Sequence, residues 1–136
     1  LRHSLRLLAA EGLENGFRRH ALMRDMVREG ARALGLPLFA DDRWASPTVT
    51  AIRTPPGVDV EAFRRRLKAR YGVELAGGQG ELKGQIFRVG HMGYAGPLDM
   101  IAALSAIEMG LLDCGYPAEI GAGIAAAQKV WAATWR

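Results

Sequence analysis

Arg88 is the residue of this sequence that is best placed to bind a ligand. It lies in the run 85–90, whose alternation of apolar and other residues is typical of a β-strand. Ile86, Arg88 and Gly90 would share one face of that strand, and Phe87 and Val89 the other. Glycine leaves room beside the guanidinium, and arginine binds carboxylates through a planar, two-point contact. Arg88 is therefore a candidate carboxylate-binding residue, although from these features alone a structural ion pair, or an arginine emerging from an edge strand, is the favoured interpretation.

Glycine is concentrated around this strand, since seven of the 17 glycines lie between residues 77 and 96. Such density is typical of backbone with positive φ or of close approach by another group. A phosphate-binding loop is not indicated, because Lys83 occupies the third glycine position of a G-x-G-x-x-G motif that would begin at Gly78. We predict a loop that makes tight turns or lines a site.

The other chemically versatile side chains form no recognisable constellation. The histidines lack metal-ligand spacing and the serines lack a nucleophile elbow, so we expect no metal site and no catalytic residue. These residues are His3, His20, His91, Ser4, Ser46 and Ser105. His91 adjoins the glycine-rich segment and could contact a ligand, but a hydrogen-bonded loop histidine is the preferred interpretation.

The charge balance is basic, with 18 Lys and Arg against 14 Asp and Glu and a net charge of +4. The excess lies in residues 1–76, which hold 14 basic and nine acidic side chains. The run Arg64-Arg65-Arg66 is its densest part. Because no aromatic residues are interleaved with the run, a solvated helix face is favoured over nucleic-acid binding.

The composition indicates one ordinary globular domain, with 49% hydrophobic residues in 136. Cys114 is the single cysteine, which excludes an internal disulfide and fits a reducing, cytoplasmic location. No apolar run approaches the length of about 18 residues that a membrane span needs. The apolar spacing of the first eleven residues predicts a helix with no cap before it, so we expect a fragment of a longer protein.

The elements that must position Arg88 are read from hydrophobic periodicity and from turn residues. Asp59 is the expected N-cap of the third helix. In chain order the prediction is a helix over 1–11, a helix over 13–34, a short edge strand over 36–39, a strand over 48–54, a helix over 60–71, strands over 73–76 and 85–90, and helices over 97–114 and 119–135. This order predicts an α+β fold, a small and mostly antiparallel sheet of three or four strands with helices packed on one face.

Several segments together resemble a known family. They are Glu11-Gly12-Leu13-Glu14-Asn15, Arg19-His20, Pro47-Thr48-Val49-Thr50, Gly77-Gly78-Gln79-Gly80, the run from Lys83 to Gly93, and Ala122-Gly123-Ile124-Ala125-Ala126-Ala127. In this order they are similar to the C-terminal small domain of class V, fold-type I aminotransferases of the alanine–glyoxylate and serine–pyruvate (serine–glyoxylate) group. The run from Lys83 to Gly93 is the specific part, and the resemblance covers nearly the whole chain.

The resemblance implies a pyridoxal-phosphate transaminase acting on small amino acids and oxo acids. In such an enzyme Arg88 would bind the α-carboxylate of the substrate. Residues 1–12 would be the end of an inter-domain linker helix and residues 13–136 the small domain. The partners implied are a missing N-terminal large domain and a second subunit of a homodimer, without nucleic acid or membrane.

The resemblance also implies what this chain lacks. The lysine that bonds to the cofactor, the aspartate that pairs with its ring nitrogen and its phosphate-binding loop belong to the large domain of the family. Lys68, Lys83 and Lys129 lie in no similar context. We therefore expect no cofactor-binding residue here, no covalent binding of the cofactor and no turnover by this chain alone.

Two other functions stay open at this point. A free-standing basic α+β module could bind nucleic acid or an acidic partner through Arg64, Arg65, Arg66 and Arg70. Alternatively, the apolar stretch 1–8 and the alanine-rich last helix could serve assembly by packing against a missing domain.

Overall fold

The computed structural model describes residues 1–135 and contains five α-helices and three strands. The helices are α1 (Arg2–Glu11), α2 (Leu13–Ala33), α3 (Val60–Arg66, continued by one wider turn over Leu67–Tyr71), α4 (Pro97–Asp113) and α5 (Ala122–Ala133). The strands are β1 (Val49–Arg53), β2 (Ala76–Gly77) and β3 (Ile86–Gly90). None of the helices in the described part combines the length and apolar character needed to cross a membrane.

The three strands form one antiparallel sheet in the order β1-β3-β2, so β3 is the central strand. Arg88 pairs with Ala51 of β1 on one side and with Ala76 of β2 on the other. The α+β prediction, with a small antiparallel sheet, is confirmed. The α+β architecture also matches that of the solved relatives described below.

Helices cover the face of the sheet that carries Phe87 and Val89, which are 0% and 2% exposed. Phe87 packs against Phe63 of α3, with ring centroids 5.3 Å apart. Gly110 lets α4 approach α3 closely, because a Cβ atom there would lie 2.6 Å from Leu67 Cδ2. Asp59 caps α3 as expected, since its carboxylate accepts hydrogen bonds from the next helical amides.

Several element boundaries differ from the sequence-based prediction. The strand expected over 73–76 is only Ala76–Gly77, and the carbonyl of Leu75 just before it accepts a side-chain hydrogen bond from Arg64. The edge strand expected over 36–39 is reduced to a single bridge between Leu38 and Ile52.

The last helix begins at Ala122, three residues later than predicted. Gly121 has a φ of 86° and stands outside the helix. The buried carboxylate of Glu108, on α4, accepts hydrogen bonds from the amides of Gly121 and Gly123 at 2.9 Å and of Ile124 at 3.2 Å. A carboxylate is favourable at a helix N-terminus, where free amides and the helix dipole meet it. The start of α5 is thus fixed by another helix rather than by its own sequence.

Candidate functional site

Arg88 projects from the face of the sheet opposite to the core. Its cross-strand neighbours are Ala51 and Ala76, and its same-face neighbours along β3 are Ile86 and Gly90. A Cβ atom added to Gly90 would meet no heavy atom within 4 Å. Arg88 is therefore half-buried, with two alanines across the strands and the buried Ile86 on one side, and the space on its Gly90 side is open.

The guanidinium of Arg88 is held at one nitrogen. Its Nε donates to the carbonyl oxygen of Gly77 at 2.9 Å. Among residues 1–135, no carboxylate forms an ion pair with Arg88, and no hydrogen bond is made by Nη1 or Nη2. Arg88 is therefore not the partner of a core carboxylate in the described chain. Because β3 is the central strand, Arg88 is not a residue of an edge strand either. Its two terminal nitrogens remain available for the two-point contact that arginine makes with a carboxylate.

The glycine-rich segment forms turns that lead to and from β3. Gly80, Gly84 and Gly93 have φ values of 54°, 80° and 78°, which favour glycine. Gly78 is excluded from carrying a side chain for a different reason, because a Cβ atom would lie 1.9 Å from the carbonyl oxygen of Leu82. The prediction of tight turns is confirmed at these positions.

His91 lies on the core side of the strand end, away from Arg88. It is 0% exposed, and its Nδ1 lies 3.1 Å from the carbonyl oxygen of Pro47. That contact assigns the proton to Nδ1, so Nε2 accepts from the hydroxyl of Thr50 at 2.9 Å. Burial lowers the pKa of His91 below its ordinary value of 6.5, and the charges of His20 and Arg24 act in the same direction. The interpretation of His91 as a hydrogen-bonded histidine is confirmed.

Arg19 is a second arginine near the glycine-rich segment, but each of its three guanidinium nitrogens already has a partner. Its Nε and Nη2 contact the Glu11 carboxylate at 2.6 and 2.8 Å. Its Nη1 donates to the carbonyls of Gly93 and Ala95 at 2.9 and 2.6 Å. The guanidinium holds the pKa of Glu11 below its ordinary value. Arg19 thereby ties the end of α1 to the 93–95 turn and is a structural residue.

A large groove lies beside this arginine, between α1, the 93–99 segment and Trp131. Its volume is about 850 Å³, and apolar residues such as Leu7, Leu8 and Leu98 line much of it. Arg88 does not line this groove. The two features are therefore separate surfaces.

The basic run is largely occupied by internal contacts. Arg64 contacts Glu61 and the carbonyl of Leu75. Arg66 donates to the carbonyl of Asp113, and Arg70 pairs with the Asp113 carboxylate at 2.9 Å. Since most of these guanidinium groups already have partners, the hypothesis of a basic nucleic-acid-binding module gains no support.

The residues present do not fit a covalent pyridoxal-phosphate site. Lys83 and Lys129 are exposed, and Lys68 is an exposed partner of Glu74 at 3.0 Å. None of the three lines the groove described above. Within residues 1–135, no cluster of three or more His, Cys, Asp or Glu side chains is arranged to hold a metal ion.

The sequence indicated Arg88 as a candidate, but it did not indicate the groups that lie around it. The Gly77 carbonyl and the paired residues Ala51 and Ala76 become neighbours of Arg88 only through the register of three strands. The sequence feature that could have indicated these neighbours is the row of small residues at 76–78, just before the turn that leads into β3. That signal did not specify the register.

Comparison with known proteins places this geometry in context. A soluble hydrogenase small subunit from Synechococcus sp. is 47% identical over 131 residues, which are 96% of this chain and 34% of that protein. A serine–glyoxylate aminotransferase from Methylorubrum extorquens is 39% identical over 130 residues, 95% of this chain and 32% of that protein. The crystal structure of pyridoxamine–pyruvate aminotransferase from Mesorhizobium loti superposes with a TM-score of 0.92 at 45% identity, covering 96% of this chain and 34% of that one.

No protein-family model matches the chain. The chain spans about a third of the length of the curated relatives it matches.

Proposed function

The chain is a homologue of class V aminotransferases and corresponds to about a third of their length, and from this premise we propose that it is the substrate-carboxylate-binding small domain of a pyridoxal-phosphate-dependent transaminase. The cofactor is proposed for the whole enzyme, because class V aminotransferases generally use it. Its site would lie on the remaining two thirds of the protein, since the lysines of this chain do not fit it. The chain alone is accordingly proposed to be inactive.

Arg88 is the residue that we propose to bind the substrate carboxylate. The supporting observation is that its Nε is fixed by Gly77 while Nη1 and Nη2 have no partner in the described chain. A carboxylate could therefore approach end-on and accept one hydrogen bond from each terminal nitrogen. Fixing the carboxylate restricts the orientation of the bond that reacts at Cα.

Small amino acids and oxo acids are the proposed substrates, with alanine or serine as donor and glyoxylate or pyruvate as acceptor. The names of the relatives support this class, because serine and glyoxylate appear in one and pyruvate in another. The alanines and the glycine beside Arg88 add no side chain that would extend far into the ligand space. The groups that select the substrate side chain are proposed to lie on the large domain.

The large domain is also the proposed partner of α1. This helix buries none of its own side chains, and Leu1, Leu5 and Leu8 are 96%, 54% and 45% exposed. An apolar helix surface of this kind is typical of a contact with another part of a protein. We propose that residues 1–12 end an inter-domain linker helix and that residues 13–136 form the small domain. A homodimeric enzyme in the cytoplasm completes the proposal, the location resting on the single unpaired Cys114.

Replacement of Arg88 by alanine in the full-length enzyme tests the proposal. We expect kcat/KM for alanine or serine to fall by about 30-fold to several thousandfold, which corresponds to the roughly 2 to 5 kcal/mol lost when one member of a desolvated charge pair is truncated. The measurement is steady-state kinetics with the amino acid varied.

Arg65→Ala is the matched control, because Arg65 is exposed and makes no ion pair within the described residues. We expect the control to retain the kcat/KM of the parent enzyme. An Arg88→Ala enzyme whose kcat/KM equals that of the control would refute carboxylate binding by Arg88.

A further inference from the structure

The free edge of β2 is where the position of Arg88 is set. The amide of Gly78 donates to the carbonyl of Ile86 at 3.1 Å. In an antiparallel pair the hydrogen-bonded residues alternate, so the carbonyls of Leu75 and Gly77 point away from β3. β2 has only two residues and no neighbouring strand on that side. Its outward carbonyls need other partners to keep the edge ordered.

Two arginines supply those partners from opposite faces of the sheet. On the outer face, Arg88 Nε donates to Gly77 at 2.9 Å. From α3, on the core face, Arg64 Nε donates to Leu75 at 2.8 Å. The short strand is therefore held between two guanidinium groups, one of which is the proposed ligand-binding group.

Arg64 is itself held rigidly against the strand. Its Nη1 contacts both carboxylate oxygens of Glu61, at 2.9 and 3.1 Å, one turn earlier on α3. A Cβ atom on Gly77 would lie 2.7 Å from this Nη1, so the guanidinium lies directly against the glycine. Gly77 pairs with Phe87, whose side chain faces the core, which places Arg64 on the side of the strand opposite to Arg88.

We propose that Arg64 is a positioning residue for substrate binding, acting through Leu75–Gly77 on Arg88. By holding the Leu75 carbonyl, two residues before Gly77, Arg64 would fix the strand segment whose Gly77 carbonyl accepts from Arg88 Nε, and so direct Nη1 and Nη2 toward the ligand. This inference rests on the proposed carboxylate-binding role of Arg88 and adds a residue that has no contact with the substrate. It also gives a reason for glycine at position 77, where any side chain would displace Arg64.

Arg64→Lys in the full-length enzyme tests the proposal. Lysine keeps the positive charge but lacks the planar fork that contacts Leu75 and Glu61 together. We expect KM for alanine or serine to rise about three- to tenfold, the range that the loss of one hydrogen bond gives, with kcat changed less than about twofold. Arg65→Lys, at the exposed neighbouring position, is expected to leave KM unchanged.

A double variant separates positioning from a general effect on folding. If Arg64 acts through Arg88, Arg64→Lys combined with Arg88→Ala will have the same kinetic constants as Arg88→Ala alone. If Arg64→Lys raises KM by the same factor in the Arg88→Ala enzyme as in the parent enzyme, the proposal is overturned. Equal KM values for Arg64→Lys and Arg65→Lys would also overturn it.

Gly77→Ala provides a second route if Arg64→Lys does not fold. We expect the same rise in KM, because the added methyl group would displace Arg64 Nη1. An unchanged KM in this variant would contradict the proposal. Failure of the proposed function is distinguishable, since it would appear as an unchanged kcat/KM in Arg88→Ala itself, whatever Arg64→Lys does.

Discussion

The two faces of β3 differ in every property that matters for function, although they alternate within five residues. The core face carries Phe87 and Val89, which are almost completely buried. The outer face carries a half-buried arginine between two alanines, beside Gly90. The core face is filled by aromatic and aliphatic side chains, whereas the outer face has a buried isoleucine, Ile86, at one end, a charged group in the middle and open space at the Gly90 end.

This difference separates the stability of the chain from its proposed ligand binding. A group in a filled interior contributes through packing, and its removal leaves a cavity. Arg88, by contrast, leaves both terminal nitrogens without a partner in the described chain, so these nitrogens contribute little to folding. We expect substitutions on the core face to change the free energy of unfolding and substitutions on the outer face to change ligand binding.

The largest effect is expected on the core face, for Phe87→Ala. The phenyl ring is fully buried and packs against Phe63, so its removal creates a cavity beneath the sheet. We expect the free energy of unfolding to fall by about 3 to 5 kcal/mol. Chemical denaturation of the isolated chain, or of the full-length protein if the chain alone is insoluble, measures this change.

Phe87→Leu is the graded control, because it retains most of the apolar volume and should cost clearly less than alanine. A Phe87→Ala protein as stable as the parent would show that the core face is not the packed side of the sheet.

A smaller effect is expected on the outer face, for Gly90→Ala. Its φ is not in the left-handed region, and a Cβ atom would have no neighbour within 4 Å. Alanine should therefore raise the free energy of unfolding slightly, by about 0.5 kcal/mol, because it restricts the unfolded chain. In the full-length enzyme the same methyl group would occupy ligand space beside Arg88, and we expect KM to rise by about fivefold, corresponding to roughly 1 kcal/mol of overpacking.

Gly90→Ala is informative because it is expected to make the protein more stable and, at the same time, to weaken substrate binding. Denaturation and steady-state kinetics are measured on the same variant. Gly57→Ala is not a suitable control, because Gly57 has a φ of 82° and alanine would be strained there. A rise in stability without any rise in KM would place the ligand elsewhere than beside Gly90.

The contrast between the faces could be predicted from sequence because strand alternation is a local property. The run 85–90 alone specifies that Arg88 and Phe87 point in opposite directions. The capping role of Asp59 is local in the same sense and was predicted correctly.

The contacts of Arg64 and Glu108 could not be predicted from the sequence. The contact of Arg64 depends on where β2 pairs in the folded sheet, and the contacts of Glu108 join two different helices. Arg64 looks like one of three solvated arginines, yet it holds the edge of β2. Glu108 looks like an ordinary helix residue, yet it determines where α5 begins. A buried charge with a partner in another element leaves no periodic trace in the sequence.

An effect that depends on pH is expected for His91, which follows Gly90 and returns to the core side. Its pKa is lowered, chiefly by burial, so the folded state favours the neutral ring. Below pH of about 6.5 the unfolded chain binds a proton that the folded chain does not, and the free energy of unfolding decreases as the pH falls. Above that pH both states are neutral at His91 and its contribution is constant. The lowered pKa values of Glu11, Asp41 and Asp42 act only in a more acidic range, below their ordinary values of about 4.

Urea denaturation between pH 7.5 and 5.5 measures the contribution of His91. We expect the free energy of unfolding to decrease toward pH 5.5 by at most about 1.4 kcal/mol per pH unit. His91→Gln should be less stable at every pH, because the contacts with Pro47 and Thr50 are altered, but its pH dependence in this range should be flatter. His3→Gln, at an exposed position, should retain the parent slope. Identical slopes in His91→Gln and the parent would mean that the core side of β3 does not exclude the charged ring. The division between a closed face and an open face would then end at Val89.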